Sequence, residues 1–226
     1  MSLTACEKEI FNRILKEELV PATGCTEPVA IAYAAAAAKK ALGCEPEVCE
    51  AELSGNIIKN ARCVAVPNTG GLKGIEAAVA AGVVAGRAEL ALDVLSSASG
   101  REEEIRDFLE KRGVSVRPAD NDLTFFIRVT VGAGSSRAKA VIEGFHTNLV
   151  LIEKDGRELF RSGAKSNPCC VADRSMLTVE KIVEFADVAD LDEIREILER
   201  QIAFNSAISE EGLKAVSYTH LRAHET

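Results

Sequence analysis

The sequence contains no tryptophan, and only 4% of its 226 residues are aromatic. Its 27 arginines and lysines are outnumbered by 35 aspartates and glutamates, so the net charge is −8 at pH 7. This shortage of positive charge argues against nucleic acid as a partner, because such interfaces need a basic patch. No run of about eighteen apolar residues is free of charges, and a transmembrane helix needs one. We therefore expect neither a nucleic acid nor a membrane as a partner.

The first ten residues lack the basic and apolar segments of a secretory signal peptide. Seven cysteines in a chain without such a signal are typical of reduced thiols in a cytoplasm, which is where we expect the protein. The spacing of Cys44, Cys49 and Cys63 fits no zinc site, so we expect these three to pack rather than to bind metal.

The stretch 20–38, VPATGCTEPVAIAYAAAAA, predicts the start of a helix over 27–42 that has Thr26 as its N-cap and ends at Gly43. Pro21 ends any preceding helix, Thr26 is a good N-cap, and the alanine run has the highest helix propensity. Cys25 then lies at a helix N-terminus, where the macrodipole favours a thiolate. The stretch therefore indicates either a reactive thiol beside the carboxylate of Glu27 or a helix corner whose cysteine only packs.

Two further segments carry polar groups suited to a small anion. The segment 54–61, SGNIIKNA, has two amides and an ammonium that would bind a carboxylate; the alternative is a loop that satisfies its own backbone. The segment 67–74, PNTGGLKG, places glycines and Lys73 before a predicted helix, as in anion sites. Its glycine spacing matches neither a dinucleotide fingerprint nor a P-loop, and a tight turn for helix packing is the alternative.

His146 is the one histidine outside the last eleven residues, and it lies between two predicted strands. The near-neutral pKa of histidine would suit proton transfer, whereas a hydrogen-bonded structural role is the alternative.

The pattern predicts an α+β fold with a helix-rich core and a small antiparallel β subdomain inserted. Strict alternation from Leu123 to Val131 and the Asp155-Gly156 turn indicate antiparallel strands. We expect a helix-rich part over 1–100, an α+β subdomain over 101–162, and a linker with the start of a helical domain over 163–215. Residues 216–226 break the pattern and look like translated sequencing-adapter sequence, so His220 and His224 are expected to have no function.

Four blocks resemble a known family: PATGCTEPVAIAYA, SGNIIKNA, PNTGGLKGIEAA and GFHTNLVLIEKDG, in this order. They are similar to the L-serine dehydratase alpha-chain-like family, in the branch that contains L-cysteine desulfidase. Members of that family are about twice as long, so the resemblance implies that this chain is the N-terminal half of a larger enzyme and is inactive alone. The resemblance covers roughly residues 5–160.

The resemblance implies a lyase that carries out α,β-elimination on L-cysteine or L-serine and releases pyruvate and ammonia. It also implies a [4Fe–4S] cluster without pyridoxal phosphate, in which Cys25 is one ligand and the others lie in the second half. The expected catalytic residues are Cys25, His146 and Lys73. The expected substrate-binding residues are Thr26, Glu27, Asn56, Lys59, Asn60, Thr69, Gly70, Gly71, Gly74, Thr147 and Asn148.

Two alternatives from other classes stay open. The first is a non-catalytic module that binds a small amino acid and does not require Cys25. The second is a metal-independent thiol enzyme that pairs Cys25 with His146. The sequence does not decide between cysteine and serine as substrate, and it leaves open whether the chain forms a homo-oligomer.

Overall fold

The computed structural model describes residues 3–21, 24–162 and 172–213. The chain divides into two compact units: residues 22–165, here called the sheet unit, and residues 1–21 with 166–226, here called the helical unit. Among the described helices, not one combines the length and apolarity that crossing a bilayer requires. The vicinal Cys169 and Cys170 and the predicted adapter tail at 216–226 lie outside the described residues.

The described residues form helices and strands in both units. The α-helices are α1 (Ala5–Glu18), α2 (Thr26–Leu42), α3 (Gly55–Ala61), α4 (Gly74–Ala85), α5 (Glu102–Arg112), α6 (Val179–Val188) and α7 (Leu191–Gly212). Short 3-10 helices cover Ala88–Asp93 and Arg174–Met176. The strands are β1 (Val48–Leu53), β2 (Ser115–Pro118), β3 (Phe126–Ala133), β4 (Ser136–Glu143), β5 (Leu149–Lys154) and β6 (Arg157–Arg161). The expected α+β class is confirmed.

One sheet of six strands organises the sheet unit, in the order β2-β1-β3-β4-β5-β6. The pair β1–β2 is parallel and all the other pairs are antiparallel. Ile127, Val129 and Val131 are fully buried on the face that belongs to the main core, as the period-two alternation predicts. The turn between β5 and β6 has Asp155 at φ 50° and Gly156 at φ 79°, which confirms the predicted hairpin turn.

Helix α2 forms the centre of the core, packed between the sheet and α4. Its alanines allow a close approach of the two helices, since a Cβ added to Gly82 of α4 would lie 2.2 Å from the carbonyl oxygen of Ala32. A second close approach joins Gly86 to Ala36, whose Cβ would be 2.7 Å from an added Cβ. The helix ends at Gly43 in the left-handed conformation, as predicted for a C-terminal glycine.

The structure divides the chain differently from the segments expected at 1–100 and 101–162. Strand β1 belongs to the first of those segments, yet it pairs with β2 and β3 of the second, so both lie in one unit. The physical reason is burial: Cys49, Ala51 and Leu53 of β1 are buried on the same core as α2. The β region is therefore a mixed sheet continuous with the helical core, and not an inserted antiparallel subdomain.

Three local boundaries also differ from the sequence expectation. The segment 54–61 is mostly helix rather than loop, because Ile57 and Ala61 bury one turn apart while the polar residues face outward. Helix α2 begins one residue earlier than expected, with Cys25 rather than Thr26 as N-cap. Strand β3 begins at Phe126, and Leu123, expected at its start, is 45% exposed.

The helical unit contains α1, α6 and α7. The sequence T-A-C-E at 4–7 forms a capping box at the start of α1, with Thr4 and Glu7 bonded reciprocally. The apolar face of α1 buries Phe11, whose ring stacks on Phe185 of α6 at 4.8 Å between centroids. An ion pair of 2.8 Å between Lys181 and Glu7 joins the same two helices, and with the Thr4 bonds it lowers the pKa of Glu7 to about 2.

Candidate functional site

The carboxylate of Glu27 is the centre of a polar cluster at the first turn of α2. The Cys25 thiol donates a hydrogen bond to its Oε2 at 3.1 Å, and the Thr26 hydroxyl donates to the same oxygen at 3.4 Å. Asn60 of α3 donates from Nδ2 to Oε1 at 3.2 Å. A carboxylate in the first turn also interacts favourably with the helix dipole. The structure thus brings together Cys25, Thr26, Glu27 and Asn60, all expected at a site from sequence.

The surroundings keep Glu27 charged. Burial alone would raise the pKa of its carboxyl, but hydrogen bonds from the Cys25 thiol, the backbone and Asn60 lower that pKa overall. The site therefore holds a fixed negative charge at neutral pH. Such a charge suits the ammonium group of a ligand.

The Cys25 thiol differs from the thiolate expected at a helix N-terminus. Burial and then the hydrogen bond to Glu27 raise the pKa of Cys25, and a bond from the backbone N–H of Glu27 offsets this only in part. Burial and the carboxylate two residues away together thus outweigh the helix dipole. Cys25 is accordingly a protonated thiol that can donate a proton, and the expectation of a thiolate is corrected.

We expect Cys25 to be alkylated slowly at neutral pH and about threefold faster in Glu27→Gln, because removing the carboxylate lowers the thiol pKa. The measurement is site-resolved mass spectrometry after timed treatment with iodoacetamide. Exposed Cys63 in the same chain is the internal reference, and Glu76→Gln, an exposed acid in the first turn of α4, is the matched control. An unchanged Cys25 rate in Glu27→Gln contradicts the assignment.

His146 lies in the turn that joins β4 to β5. Its ring meets Phe125 edge-on, with centroids 4.6 Å apart and planes at 68°. The turn is tied to the sheet, since the N–H of Gly144 donates to the carbonyl of Phe125 at 3.1 Å. Asn148 donates from Nδ2 to the carbonyl of Glu143 at 2.8 Å, so this residue closes the turn that holds His146.

The imidazole of His146 is neutral and has an unused nitrogen. Burial lowers its pKa, and the negative charge of nearby Glu27 opposes this shift only in part. Its Nε2 atom is buried and has no hydrogen-bond partner among the described residues. A buried nitrogen without a partner costs stability unless a ligand or water satisfies it. His146 therefore offers a neutral base or donor next to Glu27.

Helix α3 presents one polar face to solvent near this cluster. Asn56, Lys59 and Asn60 recur at positions i, i+3 and i+4, which share a helix face, and all three are exposed. Asn60 reaches Glu27 from this helix, and Lys59 is the residue before it in the chain. Ser54 anchors the start of α3: its hydroxyl donates to the carbonyl of Thr124 at 3.0 Å and accepts from the N–H of Phe126 at 3.2 Å.

Replacing Ser54 with alanine is expected to destabilise the sheet unit by about 1–3 kcal/mol, because it leaves the buried N–H of Phe126 without its acceptor. Ser54 is only 4% exposed, so water cannot replace the hydroxyl. Urea unfolding followed by circular dichroism measures the effect. Ser54→Thr, which keeps the hydroxyl, should recover at least half of the loss, and equal loss in both variants would argue against this role.

The glycine-rich segment 67–74 approaches the site at one point only. A Cβ added to Gly24 would lie 2.8 Å from Cγ of Pro67, so this segment packs against the turn before Cys25. Thr69 is buried and donates to the carbonyl of Val66 at 2.8 Å, and Arg106 of α5 donates to the carbonyl of Gly70 at 3.4 Å. The segment therefore turns away from Glu27 toward α5.

The remaining residues of this segment do not form the expected anion site. The N–H of Gly74 donates to the carbonyl of Val64 at 3.1 Å, and the backbone of Lys73 forms a bridge with Ala65. The side chain of Lys73 is exposed, and Gly71 has nothing near an added Cβ. Within the described residues, no hydrogen bond or ion pair joins Thr69, Gly70, Gly71, Lys73 or Gly74 to Glu27 or His146. The prediction that they line the same pocket is therefore corrected. Thr147 lies beside His146 without a described side-chain bond.

Sequence reasoning missed two residues that build the site, Phe125 and Ser54. Phe125 has the appearance of one more apolar residue in the strand pattern, and no signal pairs it with His146. Ser54 has an extended backbone and directly precedes the short helix α3. A serine at that position is an N-cap signature, which the sequence could have shown. Both residues position functional groups and do not themselves supply chemistry.

Curated relatives resemble the chain along almost its full length. A protein of Desulfitobacterium hafniense is 44% identical over 208 residues, which cover 91% of this chain and 48% of the relative. A protein of Treponema denticola is 40% identical over 219 residues, covering 95% of this chain and 50% of the relative. These relatives are named UPF0597 proteins. The chain spans about half the length of the curated relatives it matches. No family model matches the chain, and no solved structure does.

These relatives overturn the family resemblance stated from the four sequence blocks. The chain is similar to UPF0597 proteins over about 90% of its residues, and these are not named as serine dehydratases. The prediction of the L-serine dehydratase alpha-chain-like family was therefore wrong. The blocks consist mostly of helix starts and glycine turns, which are weaker grounds for a family than similarity along 208 residues.

Proposed function

We propose that the cluster of Cys25, Glu27, Asn60 and His146 is the substrate site of a lyase that performs α,β-elimination on L-serine or L-cysteine. The observation that carries the proposal is the buried, unpartnered Nε2 of neutral His146 beside the ionised carboxylate of Glu27. A neutral base next to a fixed anion is suited to removing a proton from carbon in a bound ammonium compound.

The charges of the site complement an amino acid zwitterion. The carboxylate of Glu27 binds the ammonium group of the ligand. Asn60 holds that carboxylate in place with a hydrogen bond of 3.2 Å from its Nδ2 to Oε1. Lys59, the residue before Asn60 in α3, binds the carboxylate of the ligand. Opposite charges on two helices thus orient the α-carbon between them, which is the positioning that catalysis requires.

The proton transfers follow from the ionisation states. His146 takes the α-proton at Nε2, the bond from Cβ to its hydroxyl or thiol breaks, and the electron pair leaves with that group. The protonated thiol of Cys25 gives a proton to the leaving group, which departs as water or hydrogen sulfide. The resulting aminoacrylate tautomerises to an imine, and hydrolysis yields pyruvate and ammonia.

The expected [4Fe–4S] cluster remains a proposal, and the described residues alone do not supply the ligands to hold one. Such a cluster is held by about four cysteine thiolates. Within residues 3–21, 24–162 and 172–213, no three metal-ligating side chains come together, and Cys25 is the one thiol at the site. No step above uses the cluster. If one is bound, Cys25 is a single ligand and the others come from residues outside those described.

The length of the relatives supports a further part of the proposal. Because the chain covers 48% of the Desulfitobacterium hafniense protein, we propose that it supplies substrate binding and acid–base groups for a longer enzyme. On this proposal the chain binds amino acid without turning it over. The alternative thiol enzyme has less support, since the described hydrogen bond of Cys25 goes to Glu27.

The test compares this chain with the whole-length Desulfitobacterium hafniense protein. Both are purified without oxygen, with and without iron and sulfide, and incubated with L-serine or L-cysteine while pyruvate is measured. We expect pyruvate from the longer protein only, and thermal stabilisation of this chain by L-serine that is lost in His146→Gln. Stabilisation of the chain without pyruvate from the longer protein favours a binding module. Absence of both the stabilisation and the pyruvate refutes the proposal.

A further inference from the structure

A cavity of about 610 Å³ lies in the helical unit, and none of its lining residues belongs to the Glu27 cluster. This volume is within the range of sites for small molecules. The cavity lies between α1 and the residues that end α6 and begin α7. It is lined by Ala5, Lys8, Glu9, Asn12, Arg13, Lys16, Phe185, Val188, Asp190 and Glu193.

Asn12 is the feature that distinguishes this cavity from an ordinary surface groove. Its side chain is only 7% exposed, although asparagine is rarely buried inside a helical unit. Its Nδ2 donates a hydrogen bond to Oε2 of Glu193, whereas its Oδ1 is buried without a partner among the described residues. An unpaired buried carbonyl costs about 1–3 kcal/mol, so the wall of the cavity contains an acceptor that lacks a donor.

Charged side chains of both signs line the cavity around Asn12: Lys8, Glu9, Arg13 and Lys16 of α1, and Asp190 and Glu193 at the start of α7. Lys8, Asn12 and Lys16 follow at intervals of four residues, so they share one face of α1 with about 6 Å between successive positions. The ammonium groups of Lys8 and Lys16 make no ion pair with the described residues. Across the cavity, Asp190 and Glu193 supply carboxylates from the start of α7.

We propose that this cavity binds a small zwitterion whose ammonium and carboxylate lie about one helical turn apart, such as an acidic amino acid or a dipeptide. The ammonium donates to Oδ1 of Asn12 and lies next to Glu193. The carboxylate pairs with Lys8 or Lys16. This arrangement satisfies the buried carbonyl and one of the unpaired cations with one ligand, which an anion or a cation alone cannot do.

Isothermal titration calorimetry of the full chain with glycylglycine and with L-glutamate tests the proposal. Succinate, which has the carboxylates without an ammonium group, is the control ligand. We expect saturable heat with at least one of the two zwitterions and an affinity for succinate at least about tenfold weaker. Absence of saturable heat with both zwitterions, or equal binding of succinate, overturns the proposal.

Variants separate this site from the site at Glu27. Asn12→Leu is expected to lower the affinity about tenfold or more while the melting temperature stays equal or rises, since a buried unpaired group is removed. The double variant Lys8→Gln/Lys16→Gln, at partly or fully exposed positions that tolerate change, should weaken binding about fivefold. Glu27→Gln and Lys111→Gln should leave binding unchanged. Unaltered affinity in both Asn12→Leu and the double lysine variant, or loss of affinity in Glu27→Gln, contradicts the assignment.

Discussion

Gly82→Ala is expected to destabilise the sheet unit by about 3 kcal/mol or more, which is a large fraction of the stability of a typical domain. The added methyl group would lie 2.2 Å from the carbonyl oxygen of Ala32 and 2.8 Å from its Cα. These are backbone atoms in the centre of α2, so no side chain can rotate away. Helices α2 and α4 would have to separate along their whole contact.

Thermal and urea unfolding followed by circular dichroism measure this loss. Gly55→Ala is the matched control, because it also adds one methyl group to a helical glycine but has nothing within 4 Å of the new Cβ. The free energy of unfolding of that variant should be equal to the wild-type value or up to about 1 kcal/mol higher, since alanine favours helix. Similar stability of the two variants would show that α2 and α4 do not pack as closely as described.

Substitution of Glu27 by glutamine is expected to weaken the binding of L-serine by about tenfold or more. The carboxylate is the negative charge that faces the ligand's ammonium group, and a hydrogen bond to a charged group contributes about 1.5–3 kcal/mol. Calorimetric titration of the wild type and the variant measures the change. Glutamine keeps the size of the side chain and can still meet Asn60, so the fold should be retained.

Two controls accompany this variant. Glu76→Gln removes an equivalent acid from the first turn of α4 and should bind L-serine as the wild type does. Succinate, which lacks the ammonium group, should bind no better to the wild type than to Glu27→Gln. An unchanged affinity for L-serine in Glu27→Gln would show that the carboxylate does not face a ligand.

The sequence predicted the fold well where periodicity and burial coincide. The alternation Cys49, Ala51, Leu53 and the capping box at Thr4 and Glu7 are local signals, and the structure has both elements. The pairing of β1 with β2 and β3 joins segments more than sixty residues apart, and no local pattern records it. For this reason the sequence suggested a separate β subdomain where the structure has one continuous sheet.

The candidate site was also predicted only in part, because local sequence patterns do not record contacts between distant segments. Cys25, Glu27, Asn60 and His146 were singled out because polar groups stood beside helix starts and strand ends, and the fold brings them together. The ionisation of Cys25 was mistaken, since sequence shows the helix dipole but not which way the side chain of Glu27 turns. Lys73 was included because glycine turns resemble anion sites, whereas the N–H of Gly74 is used within the turn.

The most direct test of the central claim is the nitrogen-15 NMR signal of His146 during a titration with L-serine. The chain has three histidines, so the signal is identified by its absence in His146→Gln, and His220 and His224 serve as internal references. We predict that the Nε2 signal of His146 shifts with saturation, that the references do not, and that the shift is lost in Glu27→Gln. A folded chain whose His146 signal stays unmoved by L-serine and by L-cysteine would contradict a substrate site at Glu27.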